Sequence, residues 1–123
     1  VRVLKSKWFD RFARKECISN ATLLKAIARA EAGLIDADIG GGVIKQRVAR
    51  PGESSSGGYR VIVYFRRGNL AVFMYGFAKS DRGNIDRAEE REFREAAKVV
   101  LGLTGNQLDD LVAKGDFIEV EAR

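Results

Sequence analysis

Gly57-Gly58-Tyr59-Arg60-Val61-Ile62-Val63-Tyr64-Phe65-Arg66, then Arg67-Gly68-Asn69, then Leu70-Ala71-Val72-Phe73-Met74-Tyr75-Gly76-Phe77-Ala78-Lys79 is the stretch whose reading decides the fold. Two runs rich in β-branched and aromatic residues flank a short polar turn, which is the pattern of a β-hairpin. Side chains alternate across a strand. The first run therefore places Tyr59, Val61, Val63 and Phe65 on one face and Arg60, Ile62, Tyr64 and Arg66 on the other. Strict alternation in the second run groups Ala71, Phe73, Tyr75 and Phe77 against Leu70, Val72, Met74 and Gly76. Both faces carry apolar side chains, so the hairpin is expected at the centre of a sheet covered on both sides. Arg60 is the exception: a cation on a largely buried strand requires a partner or a task.

Working outward, the segment before the hairpin supplies a second strand. Val43–Ala49 alternates, with Val43, Lys45, Arg47 and Ala49 on one face, so Lys45 and Arg47 stand side by side, roughly 7 Å apart. Arg50–Gly58 reads as a connecting loop and Gly40-Gly41-Gly42 as a flexible joint. Further upstream, Lys5–Glu16 and Ala21–Ala32 have helical periodicity, the first with Trp8, Phe9, Phe12 and Ala13 on its apolar side, the second capped by Ser19 or Asn20 and stopped at Gly33. Val1–Leu4 suits an edge strand or an extended lead-in. Downstream, Asp86 caps a helix over Arg87–Leu101 that points Phe93, Ala96, Ala97, Val100 and Leu101 inward, and the charges of Arg87–Glu95 read as a solvated face. A short helix over Asn106–Lys114 and a strand near Phe117–Glu121 close the chain. Consecutive strands without crossover helices favour antiparallel pairing. The expected fold is α+β: an N-terminal helical hairpin on a mostly antiparallel, twisted sheet of three to four strands, with C-terminal helices. All of residues 1–123 form one domain, with a core over about 1–100 and an extension over 103–123.

Composition narrows the function. The chain has 123 residues, one cysteine and no histidine. The lone Cys17 excludes an internal disulfide and fits a reducing, cytoplasmic setting. A structural zinc site and His-based acid–base catalysis are not expected, and no cofactor or metal is implied. No apolar run reaches the roughly 18 residues of a membrane span, and the opening Val1–Trp8 is not read as a secretory signal. The net charge of +5 is unevenly distributed. Residues 1–35 carry eight Lys/Arg against three Asp/Glu, residues 43–82 eight against two, and residues 83–123 six against ten. A basic excess around the hairpin favours a polyanionic partner, with ordinary solubility charge as the competing explanation.

The residues able to carry chemistry are Lys45, Arg47, Arg50, Arg60, Arg66, Lys79 and Arg82, with Tyr59, Tyr64 and Tyr75 among them. Guanidinium forks match phosphate oxygens and stabilise charge that builds on them in a transition state. A lysine crowded by cations serves in proton transfer, and tyrosines stack on unpaired bases. Arg66 and Arg67, beside a turn, are better explained as surface charge. Lys45, Arg47 and Arg60 gather on one surface only in certain strand registers, which sequence leaves open.

Gly58-Tyr59-Arg60-Val61-Ile62-Val63-Tyr64 followed by Val72-Phe73-Met74-Tyr75-Gly76-Phe77-Ala78-Lys79 resembles the RelE/HigB/ParE superfamily of bacterial toxins from type II toxin–antitoxin modules, and the HigB-like branch most. The resemblance covers roughly residues 1–100. It implies an mRNA interferase that cuts messenger RNA on the ribosome, the RNA's own 2′-OH attacking the adjacent phosphate. It makes Arg60, Lys45, Arg47 and Lys79 the catalytic set; the further candidate RNA contacts are Arg50, Arg82 as a replacement for the missing family cation, and Tyr64 or Tyr75 as a replacement for the missing aromatic. It also implies a cognate antitoxin with a helix-turn-helix domain. The chain departs from the family pattern at Ser80, where an arginine often follows the motif lysine, near Asp86, where a tyrosine is common, and in lacking any histidine. Two other functions compatible with the same features are gyrase inhibition, as in ParE-like members, and non-catalytic nucleic-acid binding. The sequence leaves the oligomeric state open.

Overall fold

The computed structural model describes residues 1–50, 52 and 57–122. Most of the loop expected between Arg50 and Gly58 lies outside these residues. In chain order the elements are β1 (Arg2–Ser6), α1 (Lys7–Lys15), α2 (Asn20–Glu31), β2 (Ala37–Gly40), β3 (Val43–Val48), β4 (Tyr59–Arg66), β5 (Leu70–Ala78), α3 (Arg87–Leu101), α4 (Gly105–Ala113) and β6 (Phe117–Glu119). Among the described residues the strands form one six-stranded sheet in the order β2-β3-β4-β5-β1-β6. All pairings are antiparallel except β1 with β5, which is parallel. No helix among the described residues is long and apolar enough to cross a membrane.

The sheet is therefore larger and more mixed than three to four antiparallel strands. The chain also opens with a strand ahead of its first two helices. Val1–Leu4, expected at an edge, belongs to an interior strand whose Val3 aligns with Ala71 and Leu4 with Val72. Lys5, expected to begin a helix, is still in the sheet; its ammonium lies 3.0 Å from the Asp10 carboxylate of α1. The supposed glycine joint is a tight reversal between β2 and β3. Gly42 has a φ of 84°, and a Cβ there would sit 2.4 Å from Leu101 of α3. Parallel pairing of β1 and β5 joins segments about seventy residues apart, and no local pattern encodes such a contact.

Each face of the sheet has its own core. On one face α1 and α2 cover Ile44, Val48, Val61, Val63, Ala71 and Phe73 with Phe9, Leu23 and Ile27. On the other, α3 and α4 cover Val43, Ile62, Tyr64, Leu70 and Val72 with Ala97 and Leu108, and β6 adds Phe117. Burying apolar surface on both sides is the main stabilising term for a central hairpin. The segment after Leu103, expected as an extension, supplies both a sheet edge and core side chains. Two inward assignments are corrected: Ala96 lies on the exposed side of α3, and Trp8 is 41% exposed. Trp8 sits where the short β1 has ended, and it packs against the rings of Phe12 and Tyr75 rather than into the core.

One irregularity controls the second half of β5. Val63 pairs with Phe73 but Ile62 pairs with Tyr75, so Met74 is an extra residue, a β-bulge. Past it the alternation inverts. Ala71 and Phe73 face α1 and α2, while Tyr75 and Phe77 join the opposite core. The strict alternation expected from sequence fails there. Gly76 now faces α1, and a Cβ at that position would lie 2.6 Å from the Phe12 ring. Gly76→Ala is expected to lower stability by about 1–3 kcal/mol through overpacking. Gly83→Ala, where a Cβ meets nothing within 4 Å, should change it by less than about 0.5 kcal/mol. Urea midpoints at fixed m-value distinguish the two.

Candidate functional site

The register of β3, β4 and β5 decides which cations meet. Arg47 is directly opposite Arg60, Lys45 is opposite Ile62, and Arg60 is in turn opposite Phe77. Lys45, Arg47 and Arg60 thus share the sheet face that carries Tyr75 and Phe77, at the end of the sheet left open beside α3. Directly opposed side chains on antiparallel strands sit about 5 Å apart at Cβ, and like charges there are unfavourable. Among the described residues neither the Arg47 nor the Arg60 guanidinium meets a carboxylate. Asp36 is nearby, but it accepts from the Arg47 backbone N–H at 2.6 Å and pairs with Arg29 at 3.0 Å.

The other cations of the set are engaged. Lys45 is 6% exposed; its ammonium donates to Asn84 Oδ1 at 2.9 Å and lies 3.9 Å from Glu90. Arg82 makes a two-pronged contact with Glu89, at 3.1 and 2.6 Å, and donates to the Asn84 carbonyl at 3.0 Å. It also donates to the Tyr75 hydroxyl at 3.4 Å and lies over the Phe77 ring at 5.4 Å. Hydrogen bonding to Glu89 raises the Arg82 pKa further above its ordinary value and, reciprocally, lowers that of the Glu89 carboxylate. Arg82 therefore clamps Tyr75 and Phe77 in place. Lys79 is exposed just beyond β5, its backbone N–H bonded to the Gly58 carbonyl at 3.1 Å.

Two expected RNA contacts are placed elsewhere. Arg50 turns to the α1 side, where it stacks on Tyr59 at 5.1 Å and donates to the Tyr59 hydroxyl at 3.3 Å. That hydroxyl in turn donates to Glu16 at 2.9 Å. Tyr64 is 1% exposed in the core beneath α3 and α4 and presents no ring face to a ligand. The two residues flank the site strand on opposite faces because alternation separates Tyr59 from Arg60 and the α3 core fills the space over Tyr64.

Sequence reasoning missed Asn84, Glu89 and Glu90. The charges of Arg87–Glu95 were expected to be a solvated face, yet Glu89 and Glu90 hold Arg82 and Lys45, and Arg94 donates to the Ile39 carbonyl at 3.1 Å. One signal was available. Asp86 and Glu89 form a capping box at the start of α3, and such a box fixes the Glu three residues in at the helix mouth, beside the preceding loop.

The sheet thus carries helices on both faces and, at one end, two opposed arginines that meet no carboxylate among the described residues. The family model described as the RelE toxin of the RelE/RelB toxin–antitoxin system matches residues 1–120. The chain belongs to the RelE toxin family, whose members pair with an antitoxin. No curated protein matches the chain as a relative.

Burial pushes the Tyr64 hydroxyl up to about 12 from an ordinary 10. The neutral phenol is favoured in the folded state, so this contribution is complete below pH 10. It is lost as pH rises from about 10 to about 12, since only the unfolded chain ionises readily there; the loss is on the order of 2 kcal/mol. Tyr64→Phe should flatten that part of the stability–pH curve, measured by urea unfolding. An unchanged curve in the variant would show that the ring is accessible to solvent.

Proposed function

We propose that the chain is an mRNA interferase of bacterial type, acting in the cytoplasm on messenger RNA held by the ribosome. The observation that carries this reading is the cross-strand pair Arg47–Arg60, two directly opposed arginines whose side chains meet no carboxylate among the described residues. Such an arrangement costs stability in the free protein and is relieved by a bound anion, which is what a site for a phosphodiester requires. In the proposed reaction the 2′-oxygen attacks the neighbouring phosphorus and the bond to the 5′-oxygen breaks. The products are a 2′,3′-cyclic phosphate and a free 5′-OH. The 2′-OH gives up its proton to solvent water and the 5′-oxygen gains one. Arg60 and Arg47 bind the phosphoryl oxygens more strongly as they gain charge. Lys79, exposed at the end of β5, is the proposed proton donor to the leaving oxygen. Lys45 is held by Asn84 and Glu90 and adds positive potential from beneath.

Tyr75 is the aromatic RNA contact in this reading, through the half-buried edge and hydroxyl that Trp8, Phe77 and Phe93 leave open. It lies on the arginine face because of the bulge at Met74, and Arg82 fixes its hydroxyl. Arg82 acts as a positioning residue for Tyr75, its own charge being taken by Glu89. The chain's antitoxin, proposed to carry a helix-turn-helix domain, silences the enzyme. The built-in cations take the role that a metal ion plays in other nucleases.

The test is induced expression in a bacterial host with mapping of mRNA ends, wild type beside Arg60→Ala and Arg47→Ala. In-frame cuts within translated messages are expected from the wild type. They should fall about 10²–10³-fold in Arg60→Ala, while the unfolding midpoint of the purified variant stays level or rises through relief of like-charge repulsion. Growth arrest with intact mRNA, unchanged by either substitution, would overturn the nuclease and point to gyrase.

A further inference from the structure

A phosphodiester cleaved by its own 2′-OH needs a group to receive the proton of that hydroxyl. The side chains already assigned to the site are poorly suited to this. The chain has no histidine. Lys45 donates to Asn84 Oδ1 at 2.9 Å, the Tyr75 hydroxyl accepts from Arg82 at 3.4 Å, and Tyr64 is 1% exposed. The acids that α3 brings to this end of the sheet differ in how far they are committed. Asp86 accepts from the Glu89 N–H at 2.8 Å as the helix cap. Glu89 accepts from Arg82 through both of its oxygens and also from the Asp86 N–H. Glu90 accepts no hydrogen bond from a side chain or backbone group among the described residues. One of its oxygens lies 3.9 Å from the Lys45 ammonium, beyond hydrogen-bond reach, and its side chain is 24% exposed.

We infer that Glu90 is the general base of the proposed cleavage, acting through one bound water. The 2′-OH gives its proton to that water, and the water passes a proton to the Glu90 carboxylate. As the 2′-oxygen bonds to phosphorus, the bond to the 5′-oxygen breaks and Lys79 supplies the proton to the leaving oxygen. Glu90 then loses its proton to solvent and Lys79 regains one. A base that works through one water needs only to border the reacting groups. Lys45 and Arg47 stand two residues apart on one face of β3, roughly 7 Å, and Arg60 is opposite Arg47. A carboxylate beside Lys45 therefore borders the place where the arginine pair would hold a phosphate. The charged groups on the elements around Glu90 are Lys45 and Arg47 on β3, Arg60 on β4, and Asp86, Arg87 and Arg94 within about a turn of it in the chain, none of them a histidine. The inference rests on the proposed mRNA cleavage and assigns a base to it.

The full chain is mixed with bacterial ribosomes programmed with a defined message, and single-turnover cleavage is followed from about pH 5 to about pH 9. The wild-type rate should rise from acid pH and level off near neutrality. Glu90→Gln should lower that level at least about 10²-fold, with an unchanged concentration for half-maximal rate. Its rate should climb with pH across the whole range, as hydroxide takes the place of the carboxylate. Formate added to the buffer should restore part of the rate to Glu90→Ala and none to Arg60→Ala. Glu92→Gln, at an exposed position of α3, should behave as the wild type. Equal rates in wild type and Glu90→Gln overturn the inference and leave the nuclease standing. A loss with weaker binding, an unaltered pH profile and no formate rescue also overturns it and makes Glu90 a prop for Lys45. A wild type that leaves the message uncut overturns the nuclease reading and the inference with it. The wild-type profile decides even where a substituted chain fails to fold: a rate that climbs with hydroxide through neutrality excludes a carboxylate base.

Discussion

The arrangement of the site depends on the hydrogen bonding of one serine at the point where β1 ends. The Ser6 hydroxyl accepts from the Phe9 N–H at 3.0 Å and lies 3.3 Å from the Met74 carbonyl, to which it donates. One side chain therefore caps α1, terminates β1 and satisfies the carbonyl of the bulged residue in β5. A bulge leaves a residue out of the regular ladder, and an unpaired buried carbonyl would cost about 1–3 kcal/mol. With Ser6 in place the inversion of β5 is supported. Tyr75 and Phe77 then stand beside Arg60, and Gly76 leaves room for Phe12 on the other face.

Helix α3 performs a second sorting, by charge. Its first turns bring Glu89 and Glu90 to the open end of the sheet, where they take up Arg82 and Lys45. Arg47 and Arg60, one strand position further out, are beyond their contacts among the described residues. The result is a gradient across a few ångströms, from cations committed to holding aromatic and polar neighbours to cations facing outward without acids. Both kinds come from the same basic stretch of sequence. Their roles differ only in which carboxylate the helix can reach.

Charge also divides the molecule at a larger scale. The basic excess of residues 1–82 lies in α1, α2 and the central strands, and the acidic excess lies in the C-terminal third. Within the acidic third, α3 and α4 cover one sheet face, leaving the α1 surface and the open sheet end as the cationic regions. Both regions carry a positive potential, but their chemistry differs. The open sheet end has arginines that meet no acid among the described residues, and the α1 surface has aromatic rings with cations beside them.

Much of this was legible without a structure because it is local. Period-two runs gave the central hairpin, Ser19 and Asp86 marked helix starts that the structure shows as caps, and Gly33 marked a stop at a φ of 86°. Covering of the hairpin on both faces followed from apolar residues on both of its faces, and the family likeness followed from the strand motifs around Arg60 and Lys79. What the sequence could not hold is long-range. The parallel alignment of β1 with β5 and the place of β6 depend on segments far apart in the chain, whose pairing energy is spread over many weak contacts. The bulge at Met74 depends on Ser6 and Phe12, which no reading of β5 alone contains. Alternation therefore assigned Tyr75 to the wrong partners, left Tyr64 available for stacking although α3 buries it, and treated Glu89 and Glu90 as solvent charges. Sequence by itself determined which residues form strands, helices and a basic centre, because those properties arise within a few residues. Tertiary structure alone decided which cations meet an acid among the described residues, because a charge is neutralised by whatever acid packing brings within a few ångströms of it.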